Sequence, residues 1–217
     1  MKRDAWLERA KATGKGTHST LKETLHGSGF TFCVDGVRAH LWHCQDEANG
    51  ESAKLAEMVQ LHLETRPTLT FEVTALALVA ACNMALALRQ SPRDEQHLYL
   101  SPNGSLKFHS ENPTVGDVSG EFVDGDKWRR WKRDPKYKII PLNRDASIPL
   151  HYRHEGAEAE FAVNPKYIKD ALAVFDETDT VRVSLRGHVV VMEPVTKDEE
   201  WPQAVVMTIN TERGHDD

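Results

Sequence analysis

The sequence predicts an α+β protein built from repeated units, each a helix followed by an antiparallel β-meander. Helical periodicity occurs at three places along the chain, and runs typical of strands follow each of them. Turn dipeptides such as Asn103-Gly104 separate those runs. Helices that precede whole meanders favour antiparallel sheets over the strict strand–helix alternation of a parallel sheet.

The first unit begins with a helix predicted over residues 4–13. Asp4 is an N-cap residue type, and Leu7 and Ala10 fall on one helical face. The Gly14-Lys15-Gly16 segment that follows is a helix breaker. The strands expected next are residues 30–34 and 39–44, on either side of the turn-like pair Asp35-Gly36.

The second unit has a helix predicted over residues 75–89, with Thr74 as its cap. One side of this helix carries large apolar residues, and the other is mostly alanine, so a second element can lie close to it. The strands expected after it are residues 98–100 and 106–108.

The third unit gives the sharpest helix signal, over residues 165–175. Asn164 is an N-cap type and Pro165 suits the first helical position. The apolar residues Ile168, Ala171, Leu172 and Phe175 then follow helical spacing. The strands expected after it are residues 180–185, 188–192 and 204–209, and residues 52–63 are a candidate fourth helix.

Composition limits the function classes. The 217 residues have a formal net charge of −6, which excludes a uniformly basic nucleic-acid coat. Three cysteines exclude a disulfide scaffold and fit a reducing cytosol. The charged start of the chain is unlike a signal peptide, and the most apolar run, residues 75–88, is too short to cross a bilayer. A soluble cytoplasmic protein is therefore expected.

Residues 124–147 are interpreted as an insertion, because they are rich in proline and charge. Within it, residues 127–138 hold seven basic residues and one acidic residue, interleaved with Trp128, Trp131 and Tyr137. Such a run suits phosphate contact and base stacking, but it also suits a solvated loop whose tryptophans pack back onto the domain. Its candidate DNA-binding residues are Lys127, Arg129, Arg130, Lys132 and Arg133.

The order of these segments resembles the bacterial β sliding clamp, the β subunit of DNA polymerase III. Residues 68–123, with ENPTVGDVSGEF as the most specific piece, resemble the first half of the clamp's C-terminal domain. Residues 158–210, with NPKYIKDALAVF and AVVMTINT, resemble its second half, and residues 5–44 resemble half of the preceding domain. The resemblance implies a shortened N-terminal segment at 1–66, a C-terminal-type domain at 67–210 and a tail at 211–217.

The resemblance further implies a clamp-like fold, with helices on one face of curved sheets. In that family the helices line a ring and present basic side chains to duplex DNA without reading its sequence. The alternative is that the corresponding basic side chains in this chain are ordinary solvent-exposed residues with no role in DNA binding. The residues carried over are Arg9, Lys11 and Lys15 in or after the first helix, Arg89 and Arg93 after the second, and Lys166 and Lys169 on the third.

A partner pocket is the second feature that the resemblance implies. Clamp partners insert a short hydrophobic motif between a turn segment and the C-terminal strand. In this chain both segments differ from the family pattern at several positions. The alternative is that their aliphatic residues are ordinary core residues with no role in partner binding. The positions carried over are Gly36, Val37, Arg38 and Ala39 with Val205, Met207, Thr208 and Ile209.

No catalytic constellation is evident. Metal-binding motifs of the CxxC or HExxH type and a P-loop are missing, and His40 and His43 would point to opposite sides of a strand. No catalytic residue, metal or cofactor is therefore expected.

The leading hypothesis is a non-enzymatic sliding-clamp-like DNA-binding protein, a processivity factor or shortened relative of one. Its expected partners are double-stranded DNA, DNA polymerase or clamp-loader subunits, and further copies of itself, with no membrane. The alternative is an interaction adaptor without ring formation or significant DNA binding.

Overall fold

A computed structural model describes residues 3–13, 19–44, 52–91, 95–124 and 151–209. The helices within these ranges are α1 (Arg3–Leu7), α2 (Ala53–Glu64), α3 (Ala75–Leu86) and α4 (Pro165–Leu172). The strands are β1 (Leu25–Gly27), β2 (Phe30–Val34), β3 (Arg38–His43), β4 (Leu69–Thr74), β5 (Leu98–Pro102), β6 (Leu106–Asn112), β7 (Gly116–Phe122), β8 (Tyr152–Gly156), β9 (Phe161–Val163), β10 (Thr180–Arg186), β11 (Val189–Pro194) and β12 (Trp201–Ile209).

All strand pairs in the described residues are antiparallel, which confirms the predicted α+β class. The main path of the sheet runs β7-β6-β5-β9-β12-β11-β10-β4-β8. A branch of β3, β2 and β1 joins it at β12. Strand β12 thus pairs with β11 along one edge, and with β3 and then β9 along the other.

The second and third units exchange their first strands. Strand β4, which precedes α3, pairs with β10 of the other unit, and β9, which precedes α4, pairs with β5. Helices α3 and α4 lie side by side as predicted. Because α3 is apolar or small nearly all round, with six of its alanine and cysteine positions at most 1% exposed, α4 can approach it closely.

Helix α4 starts where its sequence signals place it. The Asn164 side chain accepts a hydrogen bond from the Lys166 amide at 3.0 Å, and Pro165 occupies the first turn. Ile168, Ala171 and Leu172 are buried. These three residues confirm the predicted face, but the helix ends at Leu172, so Phe175, predicted on the same face, lies beyond the helix and is half-buried.

The first helix is shorter than predicted. Helix α1 ends at Leu7, a 3₁₀ turn covers Glu8–Ala10, and the chain is extended at Lys11. The Ala12 amide donates to the Leu21 carbonyl at 2.9 Å, so it is not available to continue a helix. Three buried residues anchor the short element to the core: Trp6, Leu7 and Ala10.

The sheet around β12 is covered on both faces. On the α3–α4 face, the main core includes α1, α3, α4 and residues such as Val190 and Val206. On the other face, called the α2 face, a second core joins Ala56 and Val59 of α2 to the sheet. The candidate fourth helix therefore forms, on the face opposite the three helices predicted from the repeats.

Truncation of Leu172 tests the core role of α4. The side chain is 1% exposed, so Leu172→Ala is expected to lower the free energy of unfolding by ~2–5 kcal/mol through lost burial and a cavity. Urea denaturation followed by circular dichroism measures this. The matched control is Lys166→Ala on the exposed side of the same helix, for which a change within about 0.5 kcal/mol is expected. Equal effects of the two substitutions would contradict the packing described.

Acid should loosen the contact between α1 and β3. The His40 ring stacks on Trp6 at 4.5 Å between ring centroids, and its Nδ1–H donates to the Trp6 carbonyl at 2.8 Å. Burial lowers the pKa of His40 from 6.5 to about 4, because a second ring proton on Nε2 would be buried without an acceptor among the described residues.

The unfolded chain therefore binds the proton more readily than the folded protein. The stability contributed by neutral His40 is fully present above pH 6.5 and falls as pH drops towards about 4. The loss amounts to ~3 kcal/mol, at 1.36 kcal/mol for each pKa unit. Urea unfolding at pH 7.5 and pH 4.5 measures it, and His40→Asn, which keeps a donor for Trp6 but does not titrate, should show a smaller difference between the two pH values. An unchanged difference would assign the acid sensitivity to other groups.

Candidate functional site

Two exposed lysines form the first candidate surface, called the cation face. Lys166 and Lys169 stand three residues apart on α4, on the side opposite its buried residues. Among the described residues neither ammonium group makes an ion pair. This surface therefore offers two uncompensated positive charges beside the pair of helices.

Two other predicted DNA-binding residues form ion pairs with carboxylates of the protein itself. The Arg9 guanidinium lies 3.2 Å from Asp170 on α4, and the Lys11 ammonium lies 3.4 Å from Glu8. Arg89 is half-buried just beyond α3. Their contact with DNA stays a prediction, but much of the positive charge of Arg9 is neutralised locally. The predicted residues Lys15, Arg93, Lys127, Arg129, Arg130, Lys132 and Arg133 lie outside the described residues.

The turn between β2 and β3 forms the second candidate surface. The Asp35 carboxylate accepts hydrogen bonds from the amides of Val37 and Arg38, both at 3.1 Å. Gly36, between Asp35 and Val37, has φ +94°, a conformation that glycine adopts without strain. The sequence Asp-Gly thus builds a tight turn that places Val37 at the surface.

This turn lies directly against the C-terminal strand. The Met207 amide donates to the Val37 carbonyl at 2.9 Å. Both side chains are exposed, Val37 by 39% and Met207 by 46%. We call this pair the apolar patch. The structure thereby brings together two predicted segments that are about 170 residues apart in the sequence.

Other residues predicted for the partner pocket have different environments. Val205 is only 6% exposed and belongs to the second core, together with Ala39. Thr208 and Ile209 are half-buried and pair with β9. Burial in the second core agrees with the alternative that Val205 is plain core, because two packed layers leave no room for a ligand at that point.

Arg38 points inward and connects the two surfaces. Its side chain is 9% exposed and its guanidinium bonds Asp35 at 3.0 Å and Asp170 at 2.7 Å. The same guanidinium lies 4.5 Å from the ring centroid of Tyr167 on α4. Arg38 therefore holds the turn to α4 and does not face the apolar patch.

Sequence reasoning missed Asp170 and Tyr167. Both lie on the predicted α4, but neither residue type at that spacing indicates a distant arginine partner. Only the approach of α4 to the β2–β3 turn makes Asp170 an acceptor for both Arg9 and Arg38.

Within the described ranges no group of three histidine, cysteine, aspartate or glutamate side chains is arranged to hold a metal ion. In the same part of the chain, no helix has the length and apolar character needed to cross a membrane.

The chain matches no protein-family model and no curated protein. Its fold, however, is that of solved sliding clamps. The DNA polymerase sliding clamp of Bacillus subtilis aligns with a TM-score of 0.66 at 13% identity, over 95% of this chain and 60% of the clamp. The β subunit from the DNA polymerase of Streptococcus pyogenes gives 0.63 at 12%, over 95% and 63%. The Pseudomonas aeruginosa sliding clamp, solved with a ligand, gives 0.63 at 14%, over 95% and 62%.

The chain spans about three fifths of the length of these clamp subunits. At this level of identity the likeness establishes the architecture, including the order of helices and meanders that the sequence predicted. This protein has the fold of the bacterial sliding clamp, the DNA polymerase III β subunit, in a divergent form.

Proposed function

We propose that this protein is a non-enzymatic, sliding-clamp-like DNA-binding protein of the cytoplasm that serves as a processivity factor or as a shortened relative of one. The observation that supports the proposal most is the cation face, two exposed lysines on a helix of a clamp fold that make no ion pair within the described part of the chain. The net charge of −6 on the whole chain should repel phosphates elsewhere and orient the molecule.

Binding of this kind depends on phosphates and not on base edges. Lysine ammonium groups attract the backbone of any duplex and release its counterions, so affinity falls with salt and sequence has little effect. Loose contacts of this type permit sliding, while a closed ring would prevent dissociation. The chemistry needs no catalytic group.

A ring requires more than one copy of a chain this size. The sheet is open, and within the described residues β7 and β8 are the end strands of its main path, with β1 at the end of the branch. Edge strands are natural places for a further strand to pair. We therefore propose a homo-oligomer that closes through these edges.

Charge reversal on α4 tests the DNA proposal. Lys166→Glu with Lys169→Glu should weaken binding to all duplex sequences alike, by tenfold or more. If about four to six phosphates are contacted, the wild-type log–log salt slope should be roughly −4 to −5, and the double variant should have a smaller slope. Fluorescence anisotropy of a labelled duplex at several salt concentrations measures both.

The matched control reverses two exposed lysines away from α4, Lys54→Glu on α2 and Lys107→Glu on β6. It changes the net charge equally and should leave the affinity within about twofold, because phosphates would lie beyond the Debye length of about 10 Å. A separate triple reversal at Arg129, Arg130 and Arg133 tests the basic insertion. If only this variant abolishes binding, the insertion and not α4 is the DNA site. If the wild type fails to retain DNA at low salt, the DNA proposal is wrong.

The oligomeric state gives an independent test. Light scattering coupled to size exclusion should show a mass that is a multiple of the 24.5 kDa chain at working concentration. A monomer at all concentrations would contradict the ring and leave the second candidate function.

That second candidate is an interaction adaptor, and the apolar patch favours it. Val37 and Met207 are large exposed aliphatic residues that touch through their backbones. Partners would be DNA polymerase or clamp-loader subunits. The adaptor function requires neither a closed ring nor the cation face. A monomer that binds these partners but not DNA would therefore support the adaptor function over the clamp function.

A further inference from the structure

Asp170 on α4 is shared by two arginines that differ sharply in exposure. The Arg38 side chain is 9% exposed, and its guanidinium lies 2.7 Å from one carboxylate oxygen of Asp170. The Arg9 side chain is 41% exposed, and its guanidinium lies 3.2 Å from the other oxygen. The carboxylate therefore has one partner enclosed in the protein and one at the surface.

Arg38 is held by three groups at once, and Arg9 is not. Besides Asp170, the Arg38 guanidinium bonds Asp35 at 3.0 Å and lies 4.5 Å from the ring centroid of Tyr167. Within the described residues, Arg9 has Asp170 as its one ion-pair partner. An anionic ligand that approaches this part of α4 would therefore draw Arg9 away from Asp170 and leave Arg38 in place.

Departure of Arg9 leaves no enclosed charge without a partner. Asp170 keeps its shorter bond to Arg38, and an exposed pair such as that of Arg9 contributes little to stability. A guanidinium can bind a phosphate through two parallel N–H···O bonds, so a phosphate is a better partner than one oxygen of a shared carboxylate. The exchange of Arg9 from Asp170 to a phosphate therefore costs little free energy.

The backbone that carries Arg9 is fixed beside the cation face. The Trp6 indole N–H donates to the Ala171 carbonyl at 3.1 Å, which anchors α1 to α4. Asp170 stands four residues after Lys166, so the two side chains are neighbours on the surface of the helix. Through its bond to Asp170, the Arg9 guanidinium is therefore held next to the cation face, and only its side chain has to turn.

We propose that Arg9 is an exchangeable phosphate ligand and that Asp170 competes with DNA for it. In the free protein Arg9 is bonded to Asp170. On duplex DNA it passes to a phosphate beside those contacted by the cation face, while Asp170 remains neutralised by Arg38. Asp170 thereby limits the affinity and keeps this contact loose. The inference rests on the proposed DNA-binding function, to which it adds Arg9 as a further contact and Asp170 as the residue that weakens it.

Asp170→Asn tests the competition. The asparagine keeps an oxygen that can accept from Arg38, but it lacks the charge that holds Arg9. At low salt the variant should bind a fluorescein-labelled duplex about three- to tenfold more tightly than the wild type, and its log–log salt slope should be steeper by up to about 0.9, the value for one further phosphate. Fluorescence anisotropy at several salt concentrations measures both.

Loss of any carboxylate changes the net charge by one, so two comparisons isolate Arg9. Glu57→Gln removes an exposed carboxylate of α2, on the opposite face of the sheet, and should change the affinity by less than about twofold. Arg9→Ala should cost about threefold more affinity in the Asp170→Asn background than in the wild type, because the competitor is then missing. Equal losses in the two backgrounds would overturn the proposal, since the gain would then come from net charge alone.

Side-chain NMR tests the same exchange without a change at Asp170, and decides the matter if Asp170→Asn fails to fold by circular dichroism. In the wild type, the Nε–Hε signal of Arg9 should shift as unlabelled duplex is added, whereas that of Arg38 should stay. The Arg9→Ala spectrum assigns the signal. An Arg9 signal that does not move at saturating duplex would overturn the proposal.

Failure of this inference is distinguishable from failure of the DNA function. If the wild type binds duplex DNA but a folded Asp170→Asn protein binds no more tightly, Asp170 does not compete and only the exchange is wrong. If neither protein retains duplex DNA at low salt, the proposed function is wrong and the exchange falls with it.

Discussion

The pairing of β12 with three other strands is the constraint on which the rest of the structure depends. Its residues bond β11 along one edge, and β3 followed by β9 along the other. The sheet branch of β1, β2 and β3 therefore joins the rest of the sheet through backbone hydrogen bonds between β3 and β12. The Met207 amide meets the Val37 carbonyl where β3 gives way to β9, so the apolar patch exists because the sheet divides there.

Electrostatics around α4 serve both structure and the proposed function. Asp170 accepts from Arg9 and Arg38, and Arg38 also bonds Asp35. These partly buried pairs neutralise two cations near the helix while Lys166 and Lys169 remain exposed. Removal of Asp170 would leave the largely buried Arg38 guanidinium without one of its two carboxylates, which is costlier than the loss of an exposed pair. The cation face and the apolar patch are thus held in fixed relation by one carboxylate.

The α2 face has two zones with different chemistry. Under α2 it is apolar, and further along the sheet it is a ladder of cross-strand charges in which Arg182 bonds Glu72 at 2.8 Å and approaches Glu193 at 4.0 Å. Gln203 on β12 donates to Glu193 at 2.8 Å. Glu193 and Gln203 are only 6% and 5% exposed, so these cross-strand contacts satisfy their buried polar groups. Helix α2 packs over the apolar zone, where Ala56 and Val59 join the second core.

The sequence by itself determined the helix–meander repeats, the start of α4 and the turn at Asp35-Gly36. Their signals are local, because capping, helical spacing and turn residues act within a few positions. The first helix was predicted too long, since the bond from Ala12 to the distant Leu21 carbonyl ends it.

Only the tertiary structure decided which basic side chains in the described ranges make ion pairs, which face α2 covers, and why Val205 is buried while Met207 is exposed. Alternation predicts that the two side chains share a face, but not what packs on it. Those outcomes depend on contacts between segments more than a hundred residues apart, and no short stretch of sequence encodes them.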